Sequence, residues 1–174
     1  MTKTDLDFLA TRFFWGIRDL LIPREKVLSE VEIKPGYSIL DYGCGPGSYS
    51  IIAAKSVGDK GKVYAADINP MALANVTKRA KRLGLKNIET INTDCKTSLK
   101  DQSIDVVFLY DVFHDFKEAR KILQEIHRVL KTKGILTFSD HHLKEREVVS
   151  AVEGSKLFEL TSRGKRTYGF KKAK

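Results

Sequence analysis

The chain has 174 residues, 42% of them hydrophobic, and a formal net charge of +9. That length is enough for one domain with a sizeable core, and the composition is that of an ordinary soluble globular protein. No apolar run approaches the ~20 residues that a membrane-spanning helix needs, and the charged start does not resemble a signal peptide. Two cysteines, Cys44 and Cys95, are too few for a disulfide framework, so we expect a cytoplasmic protein with no membrane contact.

Residues 5–21 have the periodicity of a helix, because apolar side chains recur at three- and four-residue spacing. Pro23 breaks this pattern, and a second short helix is predicted over residues 24–31. The aromatic cluster at residues 13–15 either packs on a sheet or forms a lid over a substrate, and we favour packing. We therefore expect residues 1–34 to form a helical cap.

A glycine-rich segment follows a short apolar strand predicted over residues 38–40. The strand ends at Asp41, glycines stand at alternate positions from Gly43 to Gly47, and a helix begins near Ser48. Such a turn between a strand and a helix builds a nucleotide-sized pocket, because glycine lets a ligand approach the main chain closely. The dinucleotide pattern G-x-G-x-x-G requires glycine where this chain has Ser48, and the G-x-x-x-x-G-K-[ST] phosphate loop is absent.

Acidic residues end the next two predicted strands. The strand over residues 62–66 ends at Asp67, ~20 residues beyond the glycines, where a carboxylate can accept hydrogen bonds from both hydroxyls of a ribose. NAD would require the same acid, so Asp67 alone does not distinguish NAD from another cofactor that contains a ribose. The strand over residues 87–92 is followed by Asp94 and Cys95.

The acid, the three alternate glycines and the two later acids, in this order, resemble the class I S-adenosylmethionine-dependent methyltransferases over about residues 37–172. The resemblance implies an α/β fold: a Rossmann-like doubly wound sheet, mostly parallel, with a C-terminal antiparallel hairpin and helices on both faces. It implies S-adenosyl-L-methionine as the cofactor, with Asp94 near the adenine amino group. The cofactor-binding residues that it implies are Asp41, Gly43, Cys44, Gly45, Gly47, Asp67, Ile68, Asp94, Cys95 and Tyr110.

The second half of the chain continues the same alternation of strands and helices. A nearly all-apolar central strand is predicted over residues 104–110. Asp115 is predicted to cap the following helix, and Gly134 to form the turn into a strand over residues 135–139. A polar helix over residues 144–152 and a terminal hairpin over residues 158–170 complete the pattern.

Three side chains after the fourth and fifth strands are candidate general bases. They are Asp111, His114 and His141, and a base is needed only if the methyl acceptor must lose a proton. Histidine suits this role because its pKa lies near working pH, although either histidine could equally be a hydrogen-bonded loop residue. His114 with Asp140, His141 and His142 could suggest a metal site, but neighbouring histidines seldom reach one ion, so we predict none.

Motifs that the sequence lacks exclude several classes of methyl acceptor. The Asn/Asp-Pro-Pro-Tyr/Phe tetrad of amino-methylating nucleic-acid enzymes is absent, as are the Pro-Cys nucleophile of cytosine-C5 enzymes, the double-Glu loop of arginine methyltransferases and the three cysteines of arsenite methyltransferases. We therefore expect a small-molecule acceptor. The alternatives are an RNA or protein acceptor, an NAD-dependent oxidoreductase, and a cofactor-binding module without turnover.

The positive charge is concentrated at the end of the chain. Residues 163–174 contain six basic residues and no acid, which leaves +3 of the net +9 for the rest. Such a surface could bind nucleic acid, but we favour a solvated strand edge that resists aggregation, because basic and aromatic residues do not alternate along it. We expect residues 1–174 to be a single domain with its cofactor-binding core over residues 35–174, acting as a monomer or homodimer.

Overall fold

The computed structural model describes residues 24–173. Its strands are β1 (Ser38–Tyr42), β2 (Lys62–Asp67), β3 (Ile88–Asn92), β4 (Ile104–Tyr110), β5 (Leu130–Ser139), β6 (Phe158–Arg163) and β7 (Tyr168–Lys172). Its helices are α1 (Arg24–Leu28), α2 (Ser48–Val57), α3 (Pro70–Arg82), α4 (Ala119–Val129) and α5 (Glu145–Glu153), with a short 3-10 helix at Phe113–Asp115.

The seven strands form one sheet in the order β3-β2-β1-β4-β5-β7-β6. The first five run parallel to their neighbours, whereas β7 is antiparallel to both β5 and β6. The predicted doubly wound sheet with its C-terminal hairpin is thus confirmed. Because the chain moves outward from β1 to β3 and then returns to β4, the loops after β1 and β4 diverge and leave a crevice at their carboxyl ends.

Alternate residues of the central strands face two separate cores, as the period of two in a strand requires. Leu40, Val107 and Leu109 lie in a core with α4 and α5 on one face. Ile39, Val106 and Phe108 lie in the other core, with α1 and α2. The central strands are covered on both faces, so their nearly continuous apolar sequence is explained by burial.

The bounds of two helices have a local explanation in the chain. Helix α3 begins after Asn69, whose side-chain oxygen accepts a hydrogen bond from the main-chain N–H of Met71 at 2.9 Å, with Pro70 in the first turn. Helix α1 is shorter than predicted, because the main-chain N–H groups of Glu30 and Val31 bond three residues back and end the helix in a tighter turn.

The predicted helix start at Asp115 is wrong. Residues Phe113–Asp115 form a separate 3-10 turn, and α4 begins at Ala119 without a side-chain cap from Glu118. Phe113 is 9% exposed and its ring lies 5.1 Å from that of Phe138. Burial of Phe113 therefore fixes the local path, which a capping pattern alone cannot show.

The predicted turn at Gly134 also differs from the structure, because β5 already begins at Leu130. Leu130 pairs with Ile104 and Ile135 pairs with Val106, so residues 131–134 bulge out of the ladder between these pairs. The predicted helix over residues 5–21 and the aromatic cluster at residues 13–15 lie outside the described residues. Within residues 24–173, no helix combines the length and apolarity needed to cross a membrane.

Candidate active site

A cavity of about 630 Å³ opens at the carboxyl ends of β1 to β4. This volume lies within the range of about 300–1,000 Å³ that is usual for small-molecule sites. Among the predicted site residues, those that line the cavity come from four successive loops: Gly43, Gly45, Asp67, Ile68, Asp94, Cys95 and Asp111. The topology thus brings together residues that are up to 68 positions apart in the sequence.

The outer glycines of the motif allow close contacts within the protein. Gly43 and Gly47 have φ angles of 75° and 78°, a region that side chains rarely adopt. A Cβ atom at Gly43 would lie 2.4 Å from Val112, and one at Gly47 would lie 2.5 Å from Val76 of α3. Gly43 also lines the cavity, whereas Gly47 shapes it from behind.

Asp67 holds the glycine turn against the start of α3. One carboxylate oxygen accepts the N–H of Gly45 at 2.8 Å, and the other accepts the N–H of Asn69 at 2.8 Å. Burial raises the pKa of Asp67, and these main-chain hydrogen bonds oppose the rise. Since a carboxylate offers about four acceptor positions, capacity remains for two hydroxyl groups of a ligand.

Besides Gly47, three predicted cofactor-binding residues do not line the cavity. Asp41 is 2% exposed and accepts a hydrogen bond from the Ser50 hydroxyl at 2.5 Å; burial raises the pKa of Asp41 to about 6, against the effect of that bond. The Tyr110 hydroxyl pairs with Thr137 at 2.8 Å. Cys44 is buried, and with Tyr110 it lines a small separate cleft. Their contact with a cofactor stays a prediction.

A buried acid that the sequence reasoning missed holds the loop after β3. Glu125 of α4 accepts hydrogen bonds from the main-chain N–H and hydroxyl of Thr97, at 2.8 and 2.6 Å. Burial alone would raise the pKa of Glu125, but the hydrogen bonds from Arg128 and Thr97 lower it to about 2. The available signal was a charged residue within the apolar stripe of a helix. Because this loop carries Asp94 and Cys95, Glu125 positions one wall of the cavity.

Both candidate histidines are paired with carboxylates beside the cavity. Nδ1 of His114 lies 2.8 Å from Asp140, and Nδ1 of His141 lies 2.6 Å from Asp111. Asp111 also pairs with Arg24, at 3.5 Å. Of the three candidate bases, Asp111 lines the cavity, whereas His114 and His141 are not among its lining residues.

The charge of the cavity is opposite in sign to that of the whole chain. Among the described residues that line it, Lys117 is the single basic one, although the chain as a whole carries +9. The acidic residues of the lining are Asp67, Asp94, Asp111, Asp115 and Glu118. Such a wall favours a cationic ligand over a phosphate-bearing one.

The sheet order, the glycine turn and the strand-end acid together define a Rossmann-like protein that binds a nucleoside cofactor without cradling a phosphate. Comparison with known proteins identifies the family. The model of the methyltransferase domain family matches residues 33–169. A crystal structure of an S-adenosylmethionine-dependent methyltransferase from Aquifex aeolicus is 32% identical, with a TM-score of 0.78, over 88% of this chain and 90% of that one. The chain belongs to the S-adenosylmethionine-dependent methyltransferase family.

Curated relatives match a shorter part of the chain. The demethylmenaquinone methyltransferase of Geobacillus stearothermophilus is 30% identical over 64% of this chain and 48% of its own length. That of Lactobacillus johnsonii is 34% identical over 64% of this chain and 46% of its own length. The chain thus spans about half the length of the curated relatives it matches.

The cofactor of this family is S-adenosyl-L-methionine, and the residues of the cavity fit it. Its ribose requires paired acceptors, which Asp67 retains after its two main-chain hydrogen bonds. Its sulfonium and ammonium groups are cations, which the acidic lining suits. The interpretation as an NAD-dependent oxidoreductase gains no support, since a pyrophosphate would face these same carboxylates.

Proposed function

We propose that this chain transfers the methyl group of S-adenosyl-L-methionine to a small-molecule acceptor. The observation that carries the proposal is the acid-lined cavity of about 630 Å³ at the carboxyl ends of the parallel strands. When bound, the cofactor supplies an activated methyl group on a sulfonium. The protein then has to hold the donor and acceptor in line, which is catalysis by proximity and orientation.

Each wall of the cavity has a proposed role in holding the cofactor. Asp67 accepts the ribose hydroxyls, and Asp94 meets the adenine amino group. Ile68, which is 69% exposed at the rim, and Cys95 flank the base. The main chain at Gly43 lies nearest the methionine end. Support comes from the position of these residues on four adjacent loops around one cavity.

Asp111, His114 and His141 remain the proposed proton acceptors for an acceptor that must be deprotonated. Because a carboxylate can only accept, the neutral form of each histidine carries its proton on the Nδ1 that faces its aspartate. Nε2 of each ring is then the atom that would take a proton from the acceptor. Asp140 positions the ring of His114 in this scheme.

The acceptor that we propose is a small organic molecule, as the name demethylmenaquinone methyltransferase gives for the relatives. Apolar side chains such as Val112, Phe116 and Ile122 share the cavity wall with the acids, which suits an acceptor with an apolar body. An acceptor docked by the basic end has less support, since Arg163 there already pairs with Glu145 at 3.0 Å.

The organisation and location of the chain are part of the proposal. We propose one domain over residues 1–174, in which residues 1–34 cap the core formed by residues 35–174, in a monomer or homodimer. A cytoplasmic location is supported by Cys44 and Cys95, which are both free thiols.

Calorimetric titration with S-adenosylmethionine, S-adenosylhomocysteine and NAD tests the cofactor, and release of S-adenosylhomocysteine with a panel of small acceptors tests turnover. We expect micromolar affinity, about −8 kcal/mol, for the first two ligands. Binding of NAD alone would overturn the proposal. Binding of S-adenosylmethionine without turnover on any acceptor would instead favour a non-catalytic module.

A further inference from the structure

Three potential metal ligands meet where β4 and β5 end side by side. Asp111, Asp140 and His141 each offer one ligand atom, and these atoms all lie within 4.8 Å of one another. The main-chain N–H of Asp111 donates to the carbonyl of Ser139 at 2.7 Å, which fixes the two loops to each other. The sheet, rather than a flexible surface, therefore sets this spacing.

The two carboxylates of this triad are withdrawn from solvent. The side chain of Asp140 is 0% exposed and that of Asp111 is 11% exposed. Two carboxylates in one place away from water attract a cation, because little water screens their charge. Arg24 lies 3.5 Å from Asp111 and is one positive group beside the triad.

The buried carboxylate is also held in one orientation. One oxygen of Asp140 accepts the main-chain N–H of His142 at 3.0 Å, and the other faces Nδ1 of His114 at 2.8 Å. Hydrogen bonds of this kind commonly orient the carboxylates that bind metal ions. The ring of His142 is tilted against both neighbouring rings, with its centroid 3.9 Å from that of His141 and 4.2 Å from that of His114, so it lies beside the cluster.

We propose that Asp111, Asp140 and His141 bind a divalent metal ion. Two carboxylates and one imidazole suit Mn²⁺, Fe²⁺ or Zn²⁺ better than Ca²⁺, because Ca²⁺ prefers oxygen ligands alone. The ion would take the place of the proton between Nδ1 of His141 and Oδ1 of Asp111, which are 2.6 Å apart. The metal site considered from the sequence comprised His114 and residues 140–142 and did not include Asp111, which lies 30 residues before His141.

The position of the triad indicates the chemical class of its further ligand. Asp111 also lines the cavity of about 630 Å³, and three protein ligands leave coordination positions open. A hydroxyl or enol oxygen of the methyl acceptor would occupy such a position, and the ion would lower the pKa of that oxygen. This assignment of the acceptor rests on the proposed methyl transfer, whereas the metal site itself does not.

The test is titration of Mn²⁺ into the full chain, with unbound Mn²⁺ measured by electron paramagnetic resonance. We expect one ion per chain, and binding at least about tenfold weaker in Asp111→Asn, Asp140→Asn and His141→Ala. The matched control is Asp115→Asn, which removes an acid 3.7 Å from His114 but outside the triad. Its Mn²⁺ affinity should stay within about twofold of wild type.

Three outcomes would overturn the metal site: no stoichiometric binding, equal weakening in the control and triad variants, or unchanged binding in His141→Ala. Since Asp140→Asn could unfold the chain, circular dichroism accompanies each variant. The side chain of His141 is 51% exposed, and His141→Ala leaves the hydrogen bonds of the buried Asp140 intact. Titration with S-adenosylhomocysteine on the same samples separates the proposals. If S-adenosylhomocysteine binds and Mn²⁺ does not, the metal site fails and the proposed function stands. If S-adenosylhomocysteine does not bind, the proposed function fails whether or not Mn²⁺ binds.

Discussion

Replacing Asp67 by Asn tests the assignment of the ribose ligand with a minimal change of shape. In the structure, its two carboxylate oxygens accept main-chain N–H groups of Gly45 and Asn69, each at 2.8 Å. An amide supplies one acceptor oxygen and one NH₂ donor. In Asp67→Asn the NH₂ group therefore faces one of the two main-chain donors, and at most one acceptor remains for the ribose.

The expected loss of affinity follows from the hydrogen bonds removed. A hydrogen bond to a charged group contributes ~1.5–3 kcal/mol, and one between neutral groups contributes ~0.5–1.5 kcal/mol. Exchanging two bonds of the first kind for one of the second costs about 3 kcal/mol. This corresponds to an increase of about 100-fold in the dissociation constant for S-adenosylhomocysteine.

Calorimetry with S-adenosylhomocysteine measures the change, and Asn69→Ala is the control. That variant removes the side-chain cap of α3 on Met71 and should cost about 1 kcal/mol of stability, but it leaves the Asp67 carboxylate in place. Its affinity should stay within about threefold of wild type. If Asp67→Asn also binds within threefold while remaining folded, Asp67 is not the ribose ligand and the reasoning is refuted.

Three further predictions concern stability, measured as the free energy of unfolding in urea. Burial raises the pKa of Asp41 in the folded protein to about 6, against about 3.9 in the unfolded chain. The folded protein therefore holds this proton more tightly, and roughly 3 kcal/mol of stability is lost as the pH rises from about 4 to above 6. Asp41→Asn should flatten that dependence of stability on pH. Gly47→Ala combines a positive φ with a 2.5 Å clash, whereas Gly58→Ala has a positive φ and open space, so we expect losses of about 3 and about 1 kcal/mol. Glu30→Gln weakens three hydrogen bonds to the turn of the β6–β7 hairpin and should cost about 2 kcal/mol, against less than about 0.5 kcal/mol for the exposed Glu32→Gln.

Each of these comparisons has an outcome that would contradict it. An unchanged pH slope in Asp41→Asn would mean that another group titrates in that window. Equal losses in Gly47→Ala and Gly58→Ala would show that backbone strain, and not contact with α3, sets the requirement for glycine. A loss in Glu32→Gln as large as in Glu30→Gln would show that the hairpin contact contributes little.

The parts of the fold that the sequence predicted are those that local patterns determine. β4 is apolar except for Asp105 because it is buried on both faces, and α3 carries its own cap and proline signal. Asp67 was predictable because the end of a strand fixes its place relative to the glycines. These features depend on spacing within one or two elements, so a single sequence reveals them.

The parts that it missed depend on contacts between distant segments. The 3-10 turn at Phe113 is set by packing on Phe138, and the bulge before Ile135 is set by register with β4. The pairing of Asp111 with His141 joins residues 30 positions apart in the sequence. Nothing in the spacing of one segment specifies such partners, because the sheet order has to be known first.

Four aspartates near the carboxyl ends of the strands each have a different stabilising partner. The Ser50 hydroxyl stabilises the carboxylate of Asp41, whose pKa burial raises. Asp67 is stabilised by main-chain N–H groups, Asp111 by Arg24 and Asp140 by His114. Each arrangement offsets part of the cost of placing a carboxylate away from water.

A bound cation, whether on the cofactor or at the aspartate–histidine triad, would add a positive charge beside these carboxylates. Ligand binding should therefore raise the stability of the fold by mass action.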